Sequence, residues 1–288
     1  MKYAFVNGKI LDGTKDMQPK EGLAILTDGE EGQVILVENE RITEILPAEE
    51  VGKRNLKASG YEEIDLQGKY ILPGLINMHV HLAGNGKPQK KQRDNEKLVK
   101  TIMSTGLTKA VAYKMVAAFA KLELLSGVTT IRTVGGLADF DTRLRDEIAA
   151  GRKDGPRILA ANQGISVPGG QMAGSVAIAA HNIDEALACL EEAEKEKVDI
   201  VKLMITGGVL DAKEKGVPGE LKMPPEMVRA VCDKAHEAGY TVAAHVESPE
   251  GVRVALENGV DSIEHGAKPD EEIMSLFKER GAFQVSTI

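Results

Sequence analysis

Two histidines one residue apart close an apolar stretch in the first third of the chain. The stretch is Ile71-Leu-Pro-Gly-Leu-Ile-Asn-Met-His-Val-His-Leu82, with His79 and His81 near its end. On a β-strand, residues i and i+2 point to the same face, and a rise of roughly 3.3 Å per residue places their β-carbons about 6.6 Å apart. Two imidazoles at that spacing can bind one cation, each at about 2.0–2.1 Å. A His-x-His pair alone also fits two polar residues at a strand end, so the pair needs further ligands.

Later apolar segments supply three further candidate ligands. A single histidine in such a segment is most simply an ordinary buried residue with a satisfied hydrogen bond. Coincidence is a poorer explanation for five candidates that all lie in or at the ends of predicted strands. We therefore predict that they converge on one cavity: His79, His81, Lys202, His245 and His265.

Lys202 is the most informative of these residues, because it interrupts the apolar run Ile200-Val-Lys-Leu-Met-Ile205. Lysine is almost never fully buried unless it is paired, and a buried ammonium without compensation loses its proton. A neutral amine can react with carbon dioxide to form a carbamate, whose two oxygens can bridge two cations about 3.5–4 Å apart. The alternative is a lysine that reaches solvent or pairs with a carboxylate.

From residue 66 onward, seven predicted strands alternate with helices. Regular βα alternation with right-handed crossovers predicts a parallel sheet. The candidate ligands fall on the first, fourth, fifth and sixth of these strands, which favours a closed (β/α)8 TIM barrel over an open doubly wound sheet. The count is one strand short at Ile288, so the predicted barrel is truncated at strand seven. Because an unclosed barrel exposes two strand edges, we expect the natural protein to be longer.

Residues 1–65 are predicted to form a small β-domain beside the barrel domain of residues 66–288. Asn7-Gly8 is a hairpin signal, and a second hairpin is expected around Glu38-Asn-Glu40. The segment offers no residues with evident chemistry. We therefore place the functional site in the second domain.

Composition narrows the classes of function. A net charge of −8 and the absence of Trp argue against a general nucleic-acid binder. No apolar run approaches the ~20 residues needed to cross a bilayer, and the first residues lack signal-peptide features. Cys189 and Cys232 have no metal-like spacing and are interpreted as reduced thiols. We predict a cytoplasmic protein that acts on a small molecule, without a nucleic-acid or membrane partner. The sequence leaves open whether the protein forms a homo-oligomer.

Together these motifs resemble the amidohydrolase superfamily, specifically its imidazolonepropionase-like and prolidase-like metal-dependent hydrolases. The resemblance implies that the first domain is a β-sandwich and that the protein hydrolyses an amide-type carbon–nitrogen bond with metal-activated water. It is carried by Leu72–His81, Gly127–Arg132 with Gly135-Gly136, Val201–Gly208, Ala244-His245 and Ser262–Gly266.

The resemblance also implies a role for each candidate ligand. His79 and His81 resemble ligands of the more buried metal, whereas His245 and His265 resemble ligands of a second metal. Lys202 resembles the carboxylated lysine that bridges the two ions. The implied cofactors are two divalent metal ions, taken to be Zn²⁺, with a carbamate on Lys202.

The sequence departs from the family pattern in two places. Gly169-Gly170-Gln171 stands where the family often has Gly-Gly-His, so an amide replaces a substrate-facing histidine. The family's aspartate general base on strand eight would lie beyond Ile288, which leaves the catalytic residue unidentified. Gln171, Gly207 and Gly208 are our candidates for substrate binding.

The predicted substrate is a dipeptide of the Xaa-Pro kind or an N-acyl amino acid, because the lysine-bearing strand resembles that branch. A cyclic-amide hydrolase, imidazolonepropionase-like, is the alternative. A relative that binds metal or ligand without catalysis is the alternative from another class. The loop containing Lys87, Lys90 and Lys91 is either a mobile cover for the site or an ordinary solvated loop.

Overall fold

The computed structural model describes residues 2–11, 13, 33–38, 41–47, 53–84, 94–208 and 219–287. The chain divides into two compact units, Met1–Gly74 and Leu75–Ile288. The division thus falls after residue 74, whereas the sequence predicted it after residue 65. The reason is that the strand Tyr70–Ile71 pairs with the first strand of the chain and so belongs to the first unit.

The first unit is a five-stranded sheet built around its first strand. Strand β1 pairs antiparallel with β2 and parallel with β4 and β5, while β2 and β3 form the predicted hairpin. The hairpin predicted at Asn7-Gly8 is wrong. Strand β1 continues through Asn7, whose φ of 55° accompanies a bulge in the pairing with β2. The strands are β1 (Lys2–Ile10), β2 (Gln33–Glu38), β3 (Arg41–Pro47), β4 (Glu62–Asp65) and β5 (Tyr70–Ile71).

The second unit alternates strands and helices, as the sequence predicted, and all of its named strand pairs are parallel. One sheet has the order β6-β7-β8 and the other the order β10-β9-β11-β12-β13-β14. The elements are β6 (Leu75–Val80), α1 (Asn95–Ile102), α2 (Gly106–Leu125), β7 (Val128–Thr133), α3 (Phe140–Ala149), β8 (Arg157–Leu159), β9 (Gly164–Ser166), β10 (Ala177–Ala179), α4 (Ile183–Lys195), β11 (Val201–Met204), α5 (Pro225–Glu237), β12 (Val242–Val246), α6 (Pro249–Glu257), β13 (Ser262–His265), α7 (Glu271–Arg280) and β14 (Phe283–Val285).

Two short strands, β9 and β10, follow β8 before the next helix, so the alternation of strands and helices is not strict here. These strands are only three residues long and lie in a Gly-rich segment, so they carry little periodic signal. The backbone between β8 and β9 links the two sheets, because the Ala160 carbonyl accepts hydrogen bonds from the Asp199 and Ile200 amides at 2.7 and 3.4 Å.

The alternation of side chains along β11 explains why the side chain of Lys202 points into the interior. Val201 and Leu203 pack into the main apolar cluster, together with helix residues such as Leu190 and Val231. Because successive strand residues point to opposite faces, Lys202 faces away from those helices. The burial of Leu203, which is fully inaccessible to solvent, therefore forces the lysine into the interior on the other side of the sheet.

Two helix boundaries have a clear local cause. The side chain of Asn182 accepts a hydrogen bond from the Glu185 amide at 2.9 Å and so caps α4. Gly151 follows α3 with a φ of 68°, a conformation that glycine adopts without strain. Within the described residues, no helix combines the length and the apolar character that crossing a membrane requires.

Candidate metal centre

The five predicted ligands line one cavity of about 250 Å³ at the carboxyl ends of the parallel strands. Strand β6 carries His79 and leads directly into His81, while β11, β12 and β13 carry the other three. The prediction that these side chains converge is therefore confirmed, although their role as ligands stays a prediction. The complete lining is His79, His81, Gln171, Met172, Lys202, Met204, His245, Glu247 and His265.

His79 and His81 present their Nε2 atoms to each other at 3.2 Å. The Nδ1 atom of His81 lies 2.9 Å from the carbonyl oxygen of Gly135, which can only accept a hydrogen bond. The Nδ1 atom of His79 lies 2.7 Å from a carboxylate oxygen of Glu264. Both imidazoles therefore carry their proton on Nδ1, and two bare Nε2 lone pairs face each other.

Glu264 is the functional residue that sequence reasoning did not single out. Its side chain is fully buried, and it accepts hydrogen bonds from Arg132 at 2.6 Å and from the Ser262 hydroxyl at 2.9 Å. Burial alone would raise the pKa of Glu264, but the hydrogen bond from His79 and the positive charges of Lys202 and Arg132 lower the pKa to about 2. The carboxylate is thus ionised and fixes the tautomer of His79.

Lys202 is one of the most deeply buried side chains of the molecule, with 1% of its surface exposed. Its Nζ has no hydrogen-bond partner among the residues that the structure describes. Burial lowers the pKa of Lys202 to about 7, although the charge of Glu264 acts in the opposite direction. A large fraction of the amine is therefore neutral near pH 7 and available as a nucleophile. The side chain is therefore not exposed to solvent at the strand end, and its amine makes no ion pair with a carboxylate among the described residues.

His245 and His265 lie next to the first pair and complete a row of four imidazoles. Adjacent ring centroids are 4.7 Å apart for both His79–His265 and His245–His265. His245, His265 and Glu247 each offer a potential ligand atom, and these atoms lie within 4.8 Å of one another. Glu247, just past the end of β12, is a second acidic residue of the site that the sequence analysis did not name.

Burial keeps the imidazoles of the site neutral near pH 7. It lowers the pKa of His81 and of His265 to about 4, and it also lowers the pKa values of His79 and His245. Neutral imidazoles are the form that binds metal ions. The exposed His181 and His236 instead pair with Glu185 and Asp261 and do not line the cavity.

Of the predicted substrate-binding residues, Gln171 lines the cavity, and Gly207 and Gly208 lie next to His245. A β-carbon at Gly208 would come within 2.6 Å of Gln171 Nε2 and 3.1 Å of His245 Cε1, so only glycine fits there without displacing its neighbours. The carbonyl oxygen of Gly207 lies 3.4 Å from His245 Nε2. Lys87, Lys90 and Lys91 lie outside the described residues, and the predicted loop ends at α1, which begins at Asn95.

The donor set fits a divalent cation. Two bare imidazole nitrogens at 3.2 Å repel each other, and neither can donate to the other. Two nitrogens bound tetrahedrally at 2.0–2.1 Å would lie about 3.3 Å apart, which is nearly the observed separation. The neutral amine of Lys202, the other two imidazoles and Glu247 surround the same cavity. These residues have the chemistry and the spacing of ligands.

Comparison with known proteins agrees with this geometry. Residues 70–285 match the sequence profile described as the amidohydrolase family. Ochratoxinase from Aspergillus niger is 22% identical over 92% of this chain and 57% of its own length. A candidate prolidase from Bifidobacterium longum has 32% identity and a TM-score of 0.68, covering 96% of this chain and 57% of that one. A Xaa-Pro dipeptidase with bound methionine has 27% identity and a TM-score of 0.73, covering 99% and 66%. The chain spans less than two thirds of each of these relatives.

Proposed function

Because this chain belongs to the amidohydrolase family, a family that generally uses divalent metals, we propose that it carries the metal-binding part of a hydrolase acting on amide-type carbon–nitrogen bonds. The observation that carries the proposal is the pair of bare imidazole nitrogens of His79 and His81, 3.2 Å apart, beside the unpartnered buried amine of Lys202. Within the described residues, no other arrangement offers a cation so many neutral donors.

Five side chains would hold two divalent ions, which we take to be zinc: His79 and His81 at one ion, His245 and His265 at the other, and Lys202 between them. When bound, the ions would lower the pKa of water toward ~7 and polarise the scissile carbonyl. Glu264 would keep His79 in the metal-binding tautomer, and the Gly135 carbonyl would do the same for His81.

Lys202 would serve as a carbamate. The neutral amine attacks carbon dioxide, a nitrogen–carbon bond forms, and the nitrogen loses one proton to solvent. The product carries one negative charge on two oxygens, which suit divalent ions. Burial supports this step because it keeps much of the amine neutral near pH 7.

For the substrate we propose a dipeptide of the Xaa-Pro kind or an N-acyl amino acid. The similarity to the candidate prolidase and to the Xaa-Pro dipeptidase supports this choice. Gln171 would contact the substrate through its amide, and Gly207 with Gly208 would leave room beside the ions. A cyclic amide is the alternative substrate, and a non-catalytic metal-binding protein is the alternative of another class.

We also propose that the two parallel sheets of the second unit are arcs of one (β/α)8 barrel. Arg132 on β7 donates to Ser262 and Glu264 on β13, and His79 on β6 contacts the same carboxylate, so side chains of both sheets share one interior. For the first unit we retain the β-sandwich as a proposal.

The test measures metal content and turnover of the whole protein. We expect about two zinc ions per chain after reconstitution in bicarbonate, and hydrolysis within a panel of Xaa-Pro dipeptides, N-acyl amino acids and cyclic amides. His79→Ala should lose metal and activity, whereas the control His181→Ala, which changes an exposed histidine, should retain both. Metal binding without turnover of any amide would favour the non-catalytic alternative, and wild-type metal content in His79→Ala would refute the site.

A further inference from the structure

His81 is held by a single peptide group. Its Nδ1–H donates to the carbonyl oxygen of Gly135 at 2.9 Å, and the amide N–H of the same peptide, that of Gly136, donates to the carbonyl oxygen of Asn162 at 2.7 Å. Because a peptide group is planar, its carbonyl and its N–H cannot rotate independently. The position of Asn162 therefore determines where the acceptor for His81 lies.

Asn162 is itself fixed from two sides. Its Oδ1 accepts a hydrogen bond from the Thr142 amide at 3.0 Å, in the first turn of α3, and so caps that helix from another segment. Its Nδ2 donates to the Thr142 hydroxyl at 3.0 Å and to Glu196 at 2.7 Å, next to the end of α4. The residue is 1% exposed and has a φ of 53°, a conformation that Asn tolerates better than most residues.

We propose that Asn162 is a positioning residue, which fixes His81 for metal binding through the peptide group that joins Gly135 to Gly136. In this way the contacts of Asn162 with α3 and with the end of α4 determine the orientation of the His81 imidazole. Polarisation along the chain of hydrogen bonds strengthens each link. The His81 ring packs closely on Gly135, since a β-carbon added there would lie 3.1 Å from the ring. The inference rests on the proposed metal-binding role of His81.

Two variants weaken the anchor to different extents. Asn162→Gly keeps the carbonyl and tolerates the positive φ, but it removes all three side-chain hydrogen bonds. Glu196→Ala removes only the outermost acceptor and changes a partly exposed side chain, so this variant should fold. It therefore tests the proposal even if Asn162→Gly does not fold. Glu196→Gln keeps an oxygen acceptor. The matched control is Glu192→Ala, one turn earlier on α4, where the exposed glutamate pairs with Lys195.

The readouts on the metal-free chain are the tautomer of His81, from imidazole ¹⁵N chemical shifts, and the hydrogen exchange of the Gly136 amide. We expect the Nδ1–H tautomer to dominate in the wild type and in Glu196→Gln. In Glu196→Ala and Asn162→Gly the tautomers should mix, and Gly136 exchange should rise about tenfold or more relative to the amides of β12. Zinc affinity should fall about 10–100-fold in these two variants but not in Glu192→Ala.

An unchanged tautomer and unchanged Gly136 exchange in a folded anchor variant would overturn the proposal. An equal rise in exchange at Gly136 and throughout β12 would also overturn it, since Asn162 would then only stabilise the fold. The tautomer and exchange readouts need neither metal nor substrate. They therefore remain decisive even if the protein proves to have no hydrolase activity.

Discussion

Replacing Lys202 with methionine should stabilise the metal-free protein while it abolishes metal binding. The lysine is 1% exposed, and its Nζ has no hydrogen-bond partner among the described residues. Methionine is unbranched and of similar length, so it can follow the path of the lysine stem past Gly164 without creating a large void. The substitution removes an ionisable group that folding places in an unfavourable environment.

The magnitude follows from the pKa of Lys202, which burial lowers from 10.5 to about 7. Between these two values the unfolded chain binds a proton that the native protein releases, so the lysine opposes folding as the pH falls from 10.5 to 7. At pH 7 this linkage costs the native state on the order of 4 kcal/mol, and at pH 10 about 1 kcal/mol. Lys202→Met should therefore be more stable than the wild type by amounts up to these values, and the advantage should shrink as the pH rises.

The assay is urea denaturation of both proteins between pH 7 and 10, with a chelator and without carbon dioxide, so that neither metal nor carbamate forms. Lys195→Met is the control, because this lysine is exposed on α4 and pairs with Glu192. We expect the control to change the free energy of unfolding by less than about 0.5 kcal/mol at every pH. Metal content after reconstitution with zinc and bicarbonate should be lost in Lys202→Met and retained in Lys195→Met.

Three results would contradict the prediction. A Lys202→Met protein that is less stable than the wild type at pH 7 would show that the amine is compensated by a partner. A stability difference that does not vary between pH 7 and 10 would show that the lysine pKa is not lowered in the fold. Full zinc binding by Lys202→Met would remove the bridging role, even if both stability predictions were confirmed.

Two further predictions concern the carboxylate and the imidazoles of the site. Glu264→Gln should destabilise the protein by about 3–5 kcal/mol and reduce zinc binding, because it leaves the buried Arg132 guanidinium without its ionised partner. Urea denaturation and metal analysis test this prediction. A free energy of unfolding within about 1 kcal/mol of the wild-type value would contradict it. The metal-free protein should lose stability as the pH falls from 6.5 to about 4, because burial lowers the pKa values of His81 and His245, so that the unfolded chain binds protons that the native state does not. Each such histidine contributes a slope of up to about 1.4 kcal/mol per pH unit, measurable by denaturation at a series of pH values, and a flat profile in this window would contradict the buried neutral imidazoles.

The sequence alone determined the positions of the candidate ligands. His79 and His81 share a strand face because side chains alternate along a strand, and this local rule does not depend on the rest of the fold. Lys202 could be recognised because a charged residue stood inside an otherwise apolar strand. The alternation of strands and helices then predicted parallel sheets, whose carboxyl ends bring distant histidines together. Each of these inferences uses periodicity or residue type, which can be read from the chain in order.

Only the tertiary structure decided which groups orient those ligands. Glu264 contacts His79, 185 residues away, and Arg132, 132 residues away, and neither partner can be identified from local sequence. Asn162 follows a three-residue strand and carries no periodic signal, yet its backbone carbonyl fixes the peptide that holds His81. The bulge at Asn7 likewise replaced the expected hairpin because pairing with β2 continues beyond it. The positions of the candidate ligands follow from local backbone geometry, whereas their tautomers and pKa values depend on contacts formed only when the chain has folded.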